Sequence, residues 1–89
     1  MVKTKIIIKG MVQGVGFRYY CQKIAASLEL LGYVKNLYNG DVEIEVEGKE
    51  GPVNEFINLV KTGPENSRVT SISVENDKYE NIYTSFSIY

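Results

Sequence analysis

Apolar and polar residues alternate along the first twelve positions of the chain, which is the period of a β-strand with one buried face. Val2, Thr4, Ile6, Ile8 and Val12 share one parity, and Lys3, Lys5, Ile7 and Lys9 share the other. From Phe17 the apolar period changes to three and four residues, as on one face of an amphipathic helix. That apolar stripe consists of Phe17, Tyr20, Cys21, Ile24, Leu28 and Leu31. We therefore predict a strand followed by a helix that ends at Gly32.

A hairpin is predicted next. Tyr33–Leu37 is a short strand candidate, and Asn39-Gly40 after it favours a tight turn because both residues tolerate a positive φ. In the strand that follows, apolar and acidic residues alternate: Val42, Ile44 and Val46 against Asp41, Glu43, Glu45 and Glu47. We expect the apolar set to face the core and the acidic set to face outward.

The second half of the chain predicts another helix and two strands. A turn over Gly48–Gly51 precedes Pro52, which suits the first turn of a helix. The apolar stripe of this helix is Val53, Phe56, Ile57 and Val60, and Gly63-Pro64 ends it. A strand follows over Val69–Val74, in which Val69 lies on the opposite parity from Ile72 and Val74, and its register stays open. After a polar turn over 76–81, Ile82, Thr84, Phe86 and Ile88 alternate as a short fifth strand.

The element order β-α-β-β-α-β predicts an α+β fold of the ferredoxin-like kind, with two helices on one face of a mostly antiparallel sheet. In this arrangement the first and third strands are neighbours at the centre of the sheet. The lysines of the first strand then lie beside the glutamates of the third, where opposite charges are mildly stabilising. We interpret that charged face as solvated and without a role in function.

The composition of the chain limits the classes of function that it can have. The 89 residues suit a single domain over 1–89, and ten basic against eleven acidic residues give a net charge of −1. A nucleic-acid binder usually has a basic excess, which is absent here. No apolar run approaches the roughly 18 residues that span a bilayer, and no signal-peptide pattern is present, so a cytoplasmic location is expected.

Histidine is absent and Cys21 is the only cysteine. An internal disulfide, an all-cysteine metal cluster and any Ser-His or Cys-His pair are therefore excluded. Cys21 itself falls on the apolar stripe of the first helix, and we interpret it as a small buried apolar residue. Any enzymatic chemistry must work without imidazole.

The segment Gly10-Met11-Val12-Gln13-Gly14-Val15-Gly16-Phe17-Arg18 joins the first strand to the first helix and carries the candidate chemistry. Gly14 and Gly16 allow successive main-chain N–H groups to turn toward an anion, and the helix N-terminus adds partial positive charge. Arg18 supplies a planar fork that matches phosphate oxygens, although a cation in the first turn opposes the helix dipole. This pattern alone is equally compatible with an anion site and with an ordinary tight turn.

Known phosphate-binding loops do not match this segment. A Walker A loop requires Gly-Lys-Ser/Thr at its end, but Val15 follows Gly14. A dinucleotide fingerprint requires a third glycine where Tyr19 stands. A cysteine phosphatase carries its nucleophile ahead of the loop, whereas Cys21 comes after Arg18.

Two motifs together resemble the acylphosphatase family. Val12-Gln13-Gly14-Val15-Gly16-Phe17-Arg18 is similar to the family signature. Gly32-Tyr33-Val34-Lys35-Asn36 is similar to the second motif, in which an aromatic residue and an asparagine follow glycine on the second strand. The hairpin Asn39–Glu43, the Gly63-Pro64 turn and the end Phe86–Tyr89 also match, so the resemblance covers nearly the whole chain.

The resemblance implies hydrolysis of the carboxyl–phosphate bond of small acyl phosphates to a carboxylate and inorganic phosphate, without metal or cofactor. It implies that Arg18 binds the phosphoryl group, that Asn36 orients the attacking water, and that phosphate inhibits competitively. It also implies that the phosphate-binding loop consists of Gln13, Gly14, Val15, Gly16, Phe17 and Arg18. Neither a nucleic acid nor a membrane is an expected partner, and a monomer is expected.

This chemistry is feasible with so few functional groups. The conjugate acid of a leaving carboxylate has a pKa of about 4–5, so the carboxylate departs without a proton donor. Phosphoryl transfer requires mainly positioning and charge stabilisation. Two departures from the family pattern are Met11, where a basic residue is common, and Glu29, which replaces a frequent glycine near the end of the first helix.

Other functions of this fold class require different residues in the same elements. An RNA-binding module would place aromatic and basic residues on the third strand, which here is acidic. A metallochaperone would need two cysteines in the first loop, which has none. A non-catalytic regulatory module that binds phosphate or another small anion stays open as the alternative. Tyr19 is interpreted as a surface aromatic residue rather than a substrate contact.

Overall fold

The structure, a computed structural model, describes residues 1–89 as five strands and two helices. They are β1 (Val2–Met11), α1 (Phe17–Ser27), β2 (Leu31–Asn36), β3 (Val42–Gly48), α2 (Glu50–Thr62), β4 (Arg68–Asp77) and β5 (Phe86–Ile88). The strand order in the sheet is β4-β1-β3-β2-β5, and every pairing is antiparallel except that of β2 with β5. The ferredoxin-like α+β prediction is confirmed, including the central position of the first and third strands. Neither helix is long and apolar enough to cross a membrane.

The core lies between the sheet and the two helices, where the predicted apolar stripes meet. The fully buried side chains include Ile6, Ile8, Val42, Ile44 and Val46 from the sheet, and Phe17, Cys21, Ala25, Val53, Phe56 and Val60 from the helices. Burial of each large apolar side chain contributes about 1.5–3 kcal/mol relative to exposure. The alternation along β3 and the three-and-four period of α2 were therefore correct guides to the core.

The helix α1 ends earlier than its stripe indicated, at Ser27 rather than Leu31. Glu29 adopts a left-handed conformation with φ 57°. Its N–H donates to the carbonyl of Ala26 at 3.2 Å, and the N–H of Leu30 donates to that of Ala25 at 2.9 Å. This pair of bonds is the Schellman closure, in which glycine is the favoured left-handed residue. Glu29, one of the two departures from the acylphosphatase pattern, thus occupies the left-handed position at which the helix ends.

Gly32 was predicted to terminate the helix, and that prediction is wrong. Gly32 lies inside β2, opposite Val46 of β3, with φ 144°. A Cβ at this position would overlap the main-chain oxygen of Glu45. The glycine is therefore required by close approach of two strands rather than by a helix end.

The hairpin between β2 and β3 differs in detail from the predicted Asn-Gly turn. Only Gly40 has a positive φ, of 97°. The N–H of Gly40 donates to the Leu37 carbonyl at 3.1 Å, and the N–H of Leu37 donates to the Asp41 carbonyl at 2.8 Å. The connection is thus a three-residue loop over 38–40, closed by a turn and a left-handed glycine.

The boundaries in the second half also shift. The helix α2 begins at Glu50, so the turn predicted over Gly48–Gly51 is shorter than expected. The strand β4 runs on to Asp77. A register shift between Lys9 and Gly10 pairs Lys9 with Ser71 and Gly10 with Val69, which accounts for the odd parity of Val69. The fifth strand covers only Phe86–Ile88 and leaves Ile82 exposed outside it.

The charged face of the sheet is less solvated than predicted. The chain after β4 folds back over it, so Lys3 and Glu47 are buried. The Lys3 ammonium donates to Glu80 at 2.7 Å, and this hydrogen bond raises the pKa of Lys3. Glu47 accepts the main-chain N–H groups of Asn81 and Tyr83 at 3.2 and 3.4 Å. The expected pairing of lysines with acidic residues is present, but one end of this face is covered by protein.

Candidate active site

A cleft opens where β1 and β2 end and α1 begins. Because β1 and β2 both run antiparallel to β3, their carboxyl ends meet at the same edge of the sheet. The cleft has a volume of about 200 Å³. Its lining residues are Val12, Gly14, Gly16, Phe17, Arg18, Tyr19, Asn36 and Ile88. The fold therefore brings Arg18 and Asn36, the two residues singled out in the sequence, into one site.

The wall formed by the loop depends on left-handed glycines. Gly14 and Gly16 have φ 74° and 78°. A residue with a side chain would be strained there by about 1–2 kcal/mol. Gly16 is the N-cap residue of α1 and provides no side-chain cap, and no acidic residue lies in the first turn. The N-terminus of this helix therefore lacks the side-chain oxygen that usually satisfies it.

The main-chain N–H groups from Gln13 to Tyr19 are free. None of them donates a hydrogen bond to another group of the protein. The groups of Gly16 to Tyr19 are those that every helix leaves unpaired at its start, and the loop adds three more. With the partial positive charge of the helix terminus, this run of donors suits an oxyanion.

Arg18 lies in the first turn of α1, beside these donors. Its Nη1 donates to the main-chain oxygen of Tyr89 at 2.7 Å. Tyr89 is itself held by its N–H, which donates to the Val34 carbonyl at 2.9 Å, and by its ring, whose centroid lies 5.8 Å from that of Tyr33. No carboxylate forms an ion pair with Arg18. The guanidinium thus has a fixed neighbour but keeps most of its five donors for a ligand.

Asn36 is the last residue of β2 and lines the cleft together with Arg18. Its Oδ1 is buried and has no hydrogen-bond partner, and it is the only buried side-chain oxygen or nitrogen of the chain in that condition. A buried polar atom without a partner costs about 1–3 kcal/mol, so its presence requires an explanation. Rotation of the amide by 180° exchanges its acceptor and donor groups, so either can be presented to a ligand.

The structure divides the predicted loop into two groups. Gly14, Gly16, Phe17 and Arg18 line the cleft, whereas Gln13 and Val15 do not. Val15 is partly buried and packs against the hydrophobic core. Gln13 turns toward the β2–β3 hairpin, where its Nε2 donates to the carbonyls of Leu37 and Asp41 at 2.7 and 2.8 Å.

Three lining residues were not anticipated: Tyr19, Ile88 and Val12, the buried residue that follows β1. Tyr19 was interpreted as a surface aromatic residue; it is 67% exposed, yet it contributes to the cleft wall. Ile88 enters the cleft because β5 pairs in parallel with β2, with Ile88 opposite Val34. The adjacency of Tyr19 to Arg18 in the sequence could have pointed to the first, but no local pattern points to the second.

Two ionisable groups outside the cleft, Cys21 and Glu43, have pKa values shifted away from neutrality. Cys21 is fully buried, and burial raises the pKa of its thiol to about 12. This confirms its interpretation as a small core residue. Burial opposes ionisation of Glu43, but hydrogen bonding to Tyr33 and the charges of Lys5 and Lys35 outweigh it and lower the pKa of Glu43. No three His, Cys, Asp or Glu side chains lie close enough together to hold a metal ion.

Known proteins share both the sequence and this fold. The family model described as acylphosphatase matches residues 4–88. An acylphosphatase from Caldivirga maquilingensis is 48% identical over 90 residues, which cover 98% of this chain and 93% of that protein. The crystal structure of acylphosphatase from Bacillus subtilis is 44% identical and matches with a TM-score of 0.96, covering 100% of this chain and 99% of that one.

A larger protein contains the same unit. The structure of full-length HypF in the phosphate- and nucleotide-bound form matches with a TM-score of 0.85 at 33% identity. The match covers 100% of this chain and 12% of the HypF chain. Since the sequence match spans residues 4–88 and the structural matches span the entire fold, the chain belongs to the acylphosphatase family.

Proposed function

We propose that the cleft between Arg18 and Asn36 is where this acylphosphatase hydrolyses the carboxyl–phosphate bond of acyl phosphates. The observation that carries the proposal is the unpartnered, buried Oδ1 of Asn36 in the same cleft as the free N–H groups and Arg18. An unpaired amide facing an anion-binding wall suits a water molecule held next to a phosphoryl group.

The phosphoryl group binds to the wall formed by Gly14, Gly16, Phe17 and Arg18. The guanidinium fork of Arg18 takes two phosphoryl oxygens, and main-chain N–H groups of the loop take the remaining lone pairs. These donors are fixed before substrate arrives, so they stabilise the charge of the transition state without reorganisation. The left-handed glycines allow the main chain to approach the phosphoryl group closely.

Asn36 holds the attacking water on the side of the phosphorus opposite the leaving group. The water oxygen forms a bond to phosphorus while the bond between phosphorus and the bridging oxygen breaks, and the electron pair leaves with the carboxylate. The proton of the water passes to a phosphoryl oxygen, since Arg18, Asn36 and Tyr19 are the only polar side chains that line the cleft. The carboxylate is a weak base and needs no proton donor.

Two consequences extend the proposal. Inorganic phosphate, the product, binds to the same wall and inhibits competitively. Arg18, the loop and Asn36 all belong to one chain, so the site needs no residue from a second copy and the protein is active as a monomer.

The test compares Arg18→Ala with a matched control, Arg68→Ala, which removes an exposed arginine outside the cleft. Hydrolysis of acetyl phosphate and benzoyl phosphate is measured in the presence of a chelator, together with the inhibition constant of inorganic phosphate. We expect Arg18→Ala to lower kcat by about 10²–10³-fold. Because it removes charge-assisted hydrogen bonds to the phosphoryl group, it should also weaken phosphate inhibition by at least about tenfold.

Arg68→Ala should retain both constants within about twofold, as a surface substitution. The alternative is a regulatory module that binds phosphate without turnover. That alternative would be established if the wild-type protein bound phosphate at this wall but hydrolysed neither substrate faster than buffer. Thermal unfolding of each variant separates a loss of activity from a loss of folding.

A further inference from the structure

The side chain of Gln13 bridges the two halves of the site. Its Nε2 donates to the carbonyl oxygen of Leu37 at 2.7 Å and to that of Asp41 at 2.8 Å. Both acceptors are carbonyl oxygens, so only the NH₂ group of the amide fits between them. Leu37 directly follows Asn36, and the loop that starts at Gln13 carries the N–H groups of the opposite wall.

The hairpin that receives these bonds is already closed. The Leu37 carbonyl also accepts the N–H of Gly40 at 3.1 Å, and the Asp41 carbonyl also accepts the N–H of Leu37 at 2.8 Å. Gln13 therefore attaches the loop to acceptors that the hairpin holds in place. It does not serve to form the hairpin, whose own main-chain bonds are independent of it.

The loop has no other hydrogen-bonded tether. The two bonds from Gln13 are the only hydrogen bonds that join residues 12–15 to the rest of the protein. The strands β1 and β2 do not pair with each other, because β3 lies between them. The ladders through β3 place the end of β1 relative to Asn36, with Ile8 and Asn36 both opposite Val42, but no main-chain hydrogen bond places residues 12–15.

From this geometry we infer that Gln13 is a positioning residue, which sets the separation between the phosphoryl-binding wall and Asn36. The inference rests on the roles proposed above for Arg18 and Asn36. The wall is built from Gly14 to Arg18, and because Phe17 is buried in the core and Val15 packs against it, we expect the wall to keep its shape when the bridge is removed. Its placement relative to the water on Asn36 changes, and a misplacement of about 1 Å between reacting groups can cost about 10²-fold in rate.

A distinctive kinetic pattern follows. Phosphate contacts only the wall, so its inhibition constant should depend little on Gln13. The rate of attack depends on both halves, so kcat should fall. A residue with a merely structural role would not separate these two quantities.

The experiment uses the full chain with Gln13→Met, which keeps the length of the side chain and removes both donors. Gln13→Asn is a second variant, since it keeps the amide but is too short to reach both carbonyls. The matched control is Gln22→Met, because Gln22 also donates from Nε2 to a main-chain carbonyl, that of Phe86 at 3.1 Å, from outside the cleft. Each variant is assayed for kcat on benzoyl phosphate, for phosphate inhibition and for thermal unfolding.

We expect Gln13→Met to lower kcat by about 10–100-fold while the phosphate inhibition constant changes less than about threefold. The kcat of Gln13→Asn should lie between those of Gln13→Met and wild type. Gln22→Met should keep kcat within about twofold of wild type. In a double-mutant cycle, Asn36→Ala should cost less in the Gln13→Met background than in wild type, because the water is already misplaced there.

Three results would overturn the inference. They are a kcat of Gln13→Met within twofold of wild type, a loss of phosphate affinity equal to the loss of kcat, or full additivity with Asn36→Ala. If Asn36→Ala alone left kcat unchanged, the proposed role of Asn36 would be wrong and the inference would fall with it. If Asn36→Ala removed activity but Gln13→Met did not, only the role of Gln13 would be wrong.

Discussion

Replacement of Asn36 by alanine should lower activity and raise stability together. Most substitutions of partly buried polar residues remove a hydrogen bond and destabilise the protein. Asn36 is different, because its buried Oδ1 has no partner in the folded chain. Asn36→Ala therefore removes an unsatisfied atom from the structure and, in the proposed mechanism, the group that orients the attacking water.

The expected loss in kcat and the expected gain in the free energy of unfolding both follow from the structure of the site. A preorganised hydrogen-bonding group that acts on the transition state contributes about 10²–10³-fold to kcat, which corresponds to about 2.7–4 kcal/mol. An unsatisfied buried acceptor costs about 1–3 kcal/mol. Alanine removes this cost, but it also removes the packing contacts of the amide, and their loss offsets part of the gain in stability. We therefore expect a net increase in the free energy of unfolding of about 1 kcal/mol, or about 4–8 °C in Tm.

The assay combines kinetics and unfolding on the same preparations. The constants kcat and KM for benzoyl phosphate, the phosphate inhibition constant and the urea unfolding curve are measured for wild type and Asn36→Ala. Phosphate inhibition should be nearly unchanged, because in the proposed mechanism Asn36 contacts the water and not the bound anion. The control is Asn58→Ala, which removes an exposed amide from α2 and should keep kcat within about twofold.

Either half of the expectation can fail separately. A folded Asn36→Ala protein with nearly normal kcat would show that another group orients the water. A clear loss of stability, of more than about 1 kcal/mol, would show that the amide is satisfied in the folded protein and that the site stores no such cost.

Three further outcomes are expected. The pKa shifts in the folded protein lie away from neutrality: the pKa of Glu43 is lowered and that of Cys21 is raised to about 12. We therefore expect kcat to show no inflection between about pH 6 and 8, except one that moves when the acyl phosphate is changed. An inflection that stays fixed would contradict this. Glu29→Gly should raise the free energy of unfolding by about 0.5–1 kcal/mol in urea titrations, because it relieves a left-handed φ at the helix end. Burial and hydrogen bonds to glutamates raise the pKa of Tyr33 and Tyr83 above the ordinary value of about 10, so their contribution to stability is complete below about pH 10 and is lost as the pH rises above it. Tyr33→Phe should therefore flatten the fall in Tm between about pH 10 and 12, and an unchanged slope would refute this.

The periodicity of the chain was sufficient to predict the elements and their order. Alternation in β3 assigned Val42, Ile44 and Val46 to the core because a strand places successive side chains on opposite faces whatever surrounds it. The stripes of α1 and α2 likewise follow from the helical period. With these elements in the order β-α-β-β-α-β, the ferredoxin-like arrangement followed. Resemblance of the two motifs to the acylphosphatases singled out Arg18 and Asn36, which the fold brings to one cleft.

Local patterns could not decide features that depend on contacts between distant segments. The apolar stripe of α1 continues to Leu31, but the helix ends earlier, at Ser27. The reason is that Gly32 belongs to β2, where the close approach of Glu45 on β3 requires a glycine. Lys3 was expected in solvent, and it is buried because the segment after β4 returns to place Glu80 beside it.

The same limit applies to the site. Ile88 lines the cleft only because β5 pairs with β2, and the Gln13 side chain faces away from the cleft only because the hairpin offers it two carbonyls. Sequence periodicity reports the environment of one element at a time. The distance between the phosphoryl-binding wall and Asn36 is a property of three strands and a loop packed together, and only the tertiary structure sets it.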